Sequence, residues 1–255
     1  MKLFLLLTIT MLIFWGIGQK VKNPGLVDVF WPIGFILIGY FCWFSNPNPT
    51  IYNLIPKLLL LIWGTRLFTF LLFTRVLPFH IEKRYDHLLE SKHYNFATQM
   101  LIQFVVQLVL IVLISTPIYL LVTVPILECN LVYSIGVGLT ILSIIIESIC
   151  DLQLYLHRSH DQENICQTGL WRFSRHPNYF FDWLAWVGFA MMALSVPMGY
   201  IGIISPIILL YIMLRITIPV TESYSIKKRP RAYRKYQKET SAFIPWMRKV
   251  TVKAK

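Results

Sequence analysis

The chain has 255 residues, of which 56% are hydrophobic and only 14% are charged, and its mean hydropathy is +0.60. This composition excludes a cytosolic globular enzyme, a secreted disulfide scaffold and a disordered chain, because a soluble core uses only part of so much apolar surface. It indicates an all-α membrane protein that forms a single domain over residues 1–255. The net charge of +12 does not indicate nucleic-acid binding, since most charged residues lie in loops and in the tail.

Seven apolar stretches follow one another along the chain, each near the roughly 20 residues that a helix needs to cross the hydrocarbon of a bilayer. They cover residues 1–17, 26–44, 54–77, 99–123, 131–150, 180–196 and 199–218. The sequence therefore predicts a polytopic protein with about seven transmembrane helices. We expect the first stretch to be a retained helix, since no small-residue cleavage site follows it as in a signal peptide. The last two are expected to form a hairpin.

The basic residues are distributed unevenly between the two sides of the predicted spans. All of the 24 lysines and arginines except Lys2, Lys57, Arg66 and Arg215 fall on one side, counting residues 219–255 as a tail. Cytoplasmic loops are enriched in Lys and Arg. The sequence therefore predicts that the N-terminus lies outside and that residues 219–255 form a basic cytoplasmic tail, which anionic membrane lipid would attract.

Ionisable residues within membrane spans are costly and usually functional. They are Asp28, Arg66, Glu147, Asp151, Asp182, Arg215 and Glu222. Glu147, Asp151 and Arg158 are spaced by four and seven residues, which places them near one stripe of the fifth helix and its extension. Two interpretations of this stripe stay open, namely a structural ion-pair network and the wall of a polar cavity.

An aromatic and basic loop leads into the sixth predicted helix, with the sequence Gly-Leu-Trp-Arg-Phe-Ser-Arg-His-Pro-Asn-Tyr over residues 169–179. A proline at a helix start leaves free backbone N–H groups and the positive end of the helix dipole. With Arg172, Arg175 and His176, this end is a candidate seat for phosphate groups. The alternative is an ordinary positively charged cytoplasmic loop.

Residues 169–179, together with several flanking elements, resemble the bacterial DUF1295 group, which is similar to the C-terminal domain of steroid 5-alpha-reductases. The flanking elements are Leu-Val-Asp-x2-Trp over 26–31, Trp-Gly-x-Arg over 63–66, Glu-x3-Asp-x-Gln over 147–153, then Arg215, Glu222 and Arg-Pro-x2-Tyr-x2-Tyr over 229–236. The resemblance covers about residues 20–246.

This resemblance implies a seven-helix membrane enzyme, in a bacterial inner membrane and open to the cytoplasm, that transfers hydride from NADPH to the activated C=C bond of a steroid-like or other lipophilic enone. The implied cofactor-binding residues are Arg66, Glu147, Asp151, Arg158, Arg172, Arg175, His176, Asn178, Tyr179, Arg215, Glu222 and Tyr236. Two of the ionisable positions differ from the steroid reductases, where Glu147 replaces an asparagine and Asp182 a glutamate.

The substrate end departs further from the steroid reductases. Asp28 stands at the position of their glutamate and Trp63 at that of their tyrosine, and a tryptophan cannot act as a phenolic acid. Asp28, as a protonated carboxyl in an apolar site, and Tyr85 are the candidate donors to the developing enolate oxygen. Trp31 and Trp63 are the candidate substrate contacts. The alternative interpretation of Tyr85 is an aromatic residue at the membrane interface.

The sequence contains no clear nucleotide-binding, metal-binding or disulfide motif. No Gly-x-Gly-x-x-Gly follows a strand, and glycines 136 and 138 are typical of close helix packing. His157-x2-His160 lies at a charged loop start, so we expect no metal, and the four cysteines require no disulfide. We expect a lipophilic small-molecule substrate and membrane lipid as partners, with no nucleic acid and no obligate protein partner.

An alternative function is an S-adenosylmethionine-dependent methyltransferase of the isoprenylcysteine or phospholipid type, which shares the Arg-His-Pro-x-Tyr element and later acids such as Glu222.

Overall fold

A computed structural model describes residues 2–45, 50–78, 95–123, 125–126, 128–161 and 163–248. Within these ranges the regular elements are helices, accompanied by one isolated parallel β-bridge between Ser174 and Ser241. The prediction of an all-α fold is confirmed. The candidate donor Tyr85 lies outside the described residues.

The helices follow the apolar stretches of the sequence. We number them α1 Lys2–Val21, α2 Gly25–Ser45, α3 Ile51–Leu71, α4 Phe96–Ile114, α5 Thr116–Thr123, α6 Leu131–His160, α7 Pro177–Ala193, α8 Ile204–Ile212, α9 Ile218–Lys228 and α10 Pro230–Glu239. Short segments of other geometry join some of them: 3-10 helices at Gly169–Arg172 and Gly199–Ile203, and π-helical turns at Leu72–Val76 and Met213–Thr217.

Six helical segments among the described residues are long and apolar enough to span a membrane. They are Lys2–Val21, Gly25–Phe44, Ile51–Val76, Phe96–Ile114, Leu131–His160 and Gly199–Lys228. The chain is therefore an integral membrane protein. The sixth predicted stretch, 180–196, corresponds to α7, whose 17 residues extend only about 26 Å at 1.5 Å per residue. This length falls short of the hydrocarbon core, so the structure supports six spans by length and one shorter helix.

The fourth predicted stretch divides into α4 and α5 at Ser115. Pro117 has no N–H to donate to the preceding turn, which explains why one helix does not continue through this point. The Ser115 hydroxyl instead donates to the carbonyl of Ile111 at 2.7 Å.

The chain forms two compact units, of which the first comprises Met1–Val137 and Phe189–Ser205. In this unit α2 packs on α1, α3 and α4. The approach of α2 to α3 is close because both helices present glycines, with Leu61 against Gly39 and Ile36 against Gly64. The turn after α7 ends at Gly199, where a Cβ would lie 1.7 Å from the carbonyl oxygen of Ala193, so only glycine fits.

The second unit comprises Gly138–Gly188 and Pro206–Lys255. It contains most of α6, the loop over residues 161–176, the first part of α7, and the helices α9 and α10. The Phe243 ring packs edge-on against Phe180 and Trp183, with centroid distances of 5.4 and 5.8 Å. These aromatic contacts fix the segment after α10 on the start of α7.

Candidate functional site

Two carboxylates lie buried in the second half of α6. Glu147 is 3% exposed and Asp151 is 5% exposed. Their spacing of four residues puts them on the same face of the helix, as the sequence predicted. Arg158, seven residues further, is exposed near the end of α6. The two acids therefore belong to a protein-facing stripe, whereas the arginine extends beyond it.

Asp151 is joined to the start of α7 by a side-chain hydrogen bond. The amide Nδ2 of Asn178 donates to Oδ1 of Asp151 at 3.0 Å. Pro177, at the first position of α7, fixes the backbone where Asn178 begins the helix. Oδ1 of Asn178 is buried and accepts no hydrogen bond from the residues that the structure describes. Two residues 27 positions apart thus form one polar pair with a spare acceptor.

The loop before α7 is attached to α6 at two points. The backbone N–H of Leu170 donates to the Gln153 side chain at 3.0 Å, and the indole N–H of Trp171 donates to the carbonyl of Cys150 at the same distance. Gly169 has a φ of +57°, a conformation that favours glycine. These contacts leave Arg172 exposed on an anchored turn.

Glu222 of α9 is the centre of a buried polar cluster. Its Oε1 accepts from Nε of Arg175 at 2.6 Å and lies 3.2 Å from Nε2 of His176, and its Oε2 accepts from Gln237 at 2.6 Å. Arg175 also donates to the carbonyl oxygens of Gln237 and Thr240. The guanidinium of Arg175 therefore holds α9, α10 and the loop together, whereas the side chain of Arg172 is exposed.

The surroundings of His176 favour the neutral form of its imidazole. Burial lowers the pKa of its imidazole, and the hydrogen bond to the Glu222 carboxylate offsets only part of that effect. Its ring stacks on Tyr179 with a centroid distance of 5.2 Å and an angle of 6° between the planes. A neutral ring that is already paired contributes packing and one hydrogen bond rather than positive charge to the predicted phosphate seat.

Tyr236 of α10 supports the same loop. Its buried hydroxyl lies within hydrogen-bond distance of the carbonyl oxygens of Trp171 and Ser174. In the structure this predicted cofactor residue therefore contacts the backbone of the loop before α7. Arg215 lies in the π-helical turn Met213–Thr217 and is exposed. Such turns are rare and occur frequently at functional sites.

In the first unit, Asp28 forms an ion pair that the sequence did not predict. Nη1 of Arg75 lies 2.5 Å from its Oδ2. In this contact an oxygen of the Asp28 side chain accepts the hydrogen bond from Arg75. Arg75 sits in the π-helical turn that continues α3, whereas Arg66 lies half-buried within α3 itself.

The two candidate substrate residues of this unit belong to one aromatic cluster. The Phe35 ring contacts Trp31 and Trp63 edge-on, at centroid distances of 5.2 and 5.3 Å. Trp63 is fully buried.

Arg75 and Gln237 are partners of predicted site residues that the sequence analysis missed. In the sequence Arg75 is one of many basic residues on the predicted cytoplasmic side, and its position at the end of an apolar span is the one feature that distinguishes it. Among the described residues, no group of three His, Cys, Asp or Glu side chains could hold a metal ion.

One family model, described as "Protein of unknown function (DUF1295)", matches residues 14–240. No curated protein and no solved structure matches the chain. The match includes the described parts of the site, from Asp28 to Tyr236.

Proposed function

The chain belongs to the DUF1295 family, and we propose that it is a membrane-embedded oxidoreductase that uses NADPH to reduce the activated C=C bond of a steroid-like or other lipophilic enone. The observation that carries the proposal is the hydrogen-bonded pair of Asp151 and Asn178. In this pair, Oδ1 of Asn178 is a buried acceptor that receives no hydrogen bond from the described residues. A buried polar atom without a partner costs about 1–3 kcal/mol, which a ligand recovers by supplying a donor. NADPH has such donors in its carboxamide and its ribose hydroxyls.

The charges of the second unit fit the phosphates of the same ligand. Arg158 and Arg172 are exposed, and neither forms an ion pair within the part of the chain that the structure describes. A guanidinium binds phosphate with two parallel hydrogen bonds and keeps its charge at every relevant pH. Arg215 is exposed as well and is the third candidate. These residues would hold NADPH, and NADPH would supply the hydride.

The protein's own contribution in this proposal is to fix the binding groups. Asp151 orients the Asn178 amide, and the Glu222 cluster holds the loop that carries Arg172. For the lipid, Trp31 is the partly exposed member of the aromatic cluster, and its ring packs on the buried Phe35, which in turn packs on the buried Trp63. The candidate donors to an enolate oxygen are Asp28 and Tyr85, of which Tyr85 lies outside the described residues.

The methyltransferase alternative needs Glu222 as a ligand for S-adenosylmethionine. In the structure the carboxylate of Glu222 is occupied by Arg175, His176 and Gln237. An acid that already accepts three hydrogen bonds is poorly placed to take the ammonium group of a second ligand. This arrangement supports the reductase over the methyltransferase.

The proposal is tested by titrating the detergent-purified protein with NADPH and with S-adenosylmethionine, using calorimetry and energy transfer from tryptophan to NADPH. We expect saturable binding of NADPH that is tighter than that of S-adenosylmethionine, and weaker NADPH binding in Arg158→Ala. Arg231→Ala is the matched control, since Arg231 is an exposed arginine of the same unit outside the candidate site. Binding of S-adenosylmethionine alone would support the alternative, and equal effects of the two arginine variants would reject the site.

A further inference from the structure

Helix α10 has two faces of opposite character. Tyr233 and Tyr236 are buried on one side. The other side carries four exposed basic residues, which we call the basic face: Arg231, Arg234, Lys235 and Lys238. Of these, Lys235 lies 3.9 Å from Glu239, and the other three form no ion pair within the described ranges. The helix therefore presents a nearly uncompensated positive surface.

The segment after α10 exposes large apolar side chains, which we call the apolar tip: Ile244, Trp246 and Met247. Trp246 is 71% exposed and Met247 is 82% exposed. Their backbone is nevertheless fixed, since the N–H of Trp246 donates to the carbonyl of Phe173 at 2.9 Å. Arg248 closes the segment through hydrogen bonds to Gln167 and Glu239. The apolar side chains are thus held outward by an anchored backbone.

The position of α10 in the chain places it next to the membrane surface. The candidate span Gly199–Lys228 ends two residues before Pro230, where α10 begins. The 30 residues of this span extend about 45 Å at 1.5 Å per residue, which is the thickness of a bilayer with its headgroups. Two further residues extend at most about 7 Å, so α10 starts near the headgroup layer. Tryptophan is enriched at this boundary, and basic residues are attracted there by anionic lipid headgroups. A protein partner would need a matching acidic and apolar surface, whereas the bilayer provides both features next to the span.

We propose that the basic face and the apolar tip form a docking surface for the anionic headgroup layer of the protein's own membrane, with Trp246 and Met247 inserted at headgroup depth. Exposed apolar side chains beside basic residues are the combination by which interfacial segments bind lipid. Because the tip is hydrogen-bonded to Phe173, docking also ties the loop before α7 to the membrane surface. This inference does not depend on the proposed reductase activity.

The test uses the full chain reconstituted into vesicles. Met247→Cys is labelled with an environment-sensitive fluorophore in a Cys129→Ser background, since Cys129 is exposed and the other three cysteines are buried. Vesicles of phosphatidylcholine alone are compared with vesicles that also contain phosphatidylglycerol. Brominated lipids report contact of the label with the bilayer.

We expect a blue-shifted label that brominated lipids quench, more strongly in the anionic vesicles. One basic residue near an anionic surface strengthens attachment about five-fold, so Arg234→Gln/Lys238→Gln should weaken insertion by up to about 30-fold. Lys2→Gln/Lys20→Gln removes two charges elsewhere in the chain and is the matched control. A label that stays in water in both vesicles, or insertion that depends on neither anionic lipid nor the two basic residues, would overturn the proposal. Unchanged melting temperatures in detergent show that the variants are folded.

Discussion

The side-chain amide of Asn178 donates to the buried carboxylate of Asp151 at 3.0 Å, and this hydrogen bond joins α6 to the start of α7. This hydrogen bond uses Oδ1 of Asp151 as the acceptor and Nδ2 of Asn178 as the donor. It also fixes the direction in which Oδ1 of Asn178 points, because an amide is planar. The pair is therefore preorganised to accept a donor from a ligand, and its integrity is the feature on which the proposed cofactor site depends.

Asp151→Asn should weaken NADPH binding while leaving the protein folded. The substitution removes the charge that orients the Asn178 amide, and a hydrogen bond to a charged group contributes about 1.5–3 kcal/mol. We expect a dissociation constant about 10-fold to 150-fold higher in calorimetric titration. Glu163→Gln removes an exposed acid of the same unit and serves as control. Unchanged NADPH affinity in Asp151→Asn would exclude the pair from the cofactor site.

Glu222→Ala should destabilise the protein strongly. The substitution leaves Arg175, with 10% of its side chain exposed, without its carboxylate partner. Removing one member of a buried ion pair costs about 3–5 kcal/mol, because the remaining charge stays desolvated. Denaturant titration in mixed micelles measures this loss, and Glu128→Ala, an exposed acid, should change little. A loss equal to that of the control would mean that the cluster is not structural.

The local patterns of the sequence predicted the fold and part of the site. Periodicity and span length predicted the helices, and the four-residue spacing of Glu147 and Asp151 predicted that they share a face, which the structure confirms. Helical spacing is a local property, so it can be read without a tertiary structure. Arg158 lies on the same stripe by its spacing but is exposed, whereas Asp151 is buried. Helical spacing alone does not tell where along a helix the burial ends.

The partners of the site residues could not be predicted in this way. Arg175 and Glu222 are 47 residues apart, and Asp28 and Arg75 are separated by the same number. Which charges meet depends on how helices pack, and no periodicity within one helix contains that information. Arg175 therefore resembles a phosphate ligand in the sequence, whereas in the structure it holds the loop.

Tyr236→Phe should lower stability more than it lowers NADPH affinity. The Tyr236 hydroxyl lies within hydrogen-bond distance of the carbonyl oxygens of Trp171 and Ser174. The substitution removes the one O–H donor that these two acceptors share. Leaving a buried acceptor unsatisfied costs about 1–3 kcal/mol. We expect this loss in the free energy of unfolding and less than about a three-fold change in the dissociation constant of NADPH. A large loss of affinity with unchanged stability would instead show that Tyr236 touches the cofactor.

Acidification should destabilise the protein through His176. Burial lowers the pKa of His176 in the folded state, while the unfolded chain takes up the proton near the ordinary value of about 6.5. The stabilisation is therefore complete above about pH 6.5 and is lost as the pH falls below that value toward the folded-state pKa. Melting temperatures between about pH 7.5 and 5.5 should fall in the wild type and fall less in His176→Gln. His160→Gln, which changes an exposed histidine, should keep the wild-type slope.

Asp28 and Arg75 should show a large coupling energy in a double-mutant cycle. Their side chains are 9% and 21% exposed and approach to 2.5 Å, so each single substitution leaves a partly buried charge without its partner. We expect Asp28→Ala and Arg75→Ala to destabilise the protein individually, and the double variant to lose about 1–3 kcal/mol less than the sum of the two. Simple additivity of the two losses would show that the ion pair does not form in the membrane.

The proposed substrate residues and the proposed cofactor residues belong to different units of the chain. Asp28 pairs with Arg75 in the first unit and Asp151 pairs with Asn178 in the second, so Asp28→Asn should leave the dissociation constant of NADPH within about two-fold. Turnover of an enone substrate should fall if the ion pair shapes the lipid site. Asp151→Asn should give the opposite result for NADPH binding. Loss of NADPH binding in Asp28→Asn, with binding retained in Asp151→Asn, would contradict this division of roles even if the protein proves to be a reductase.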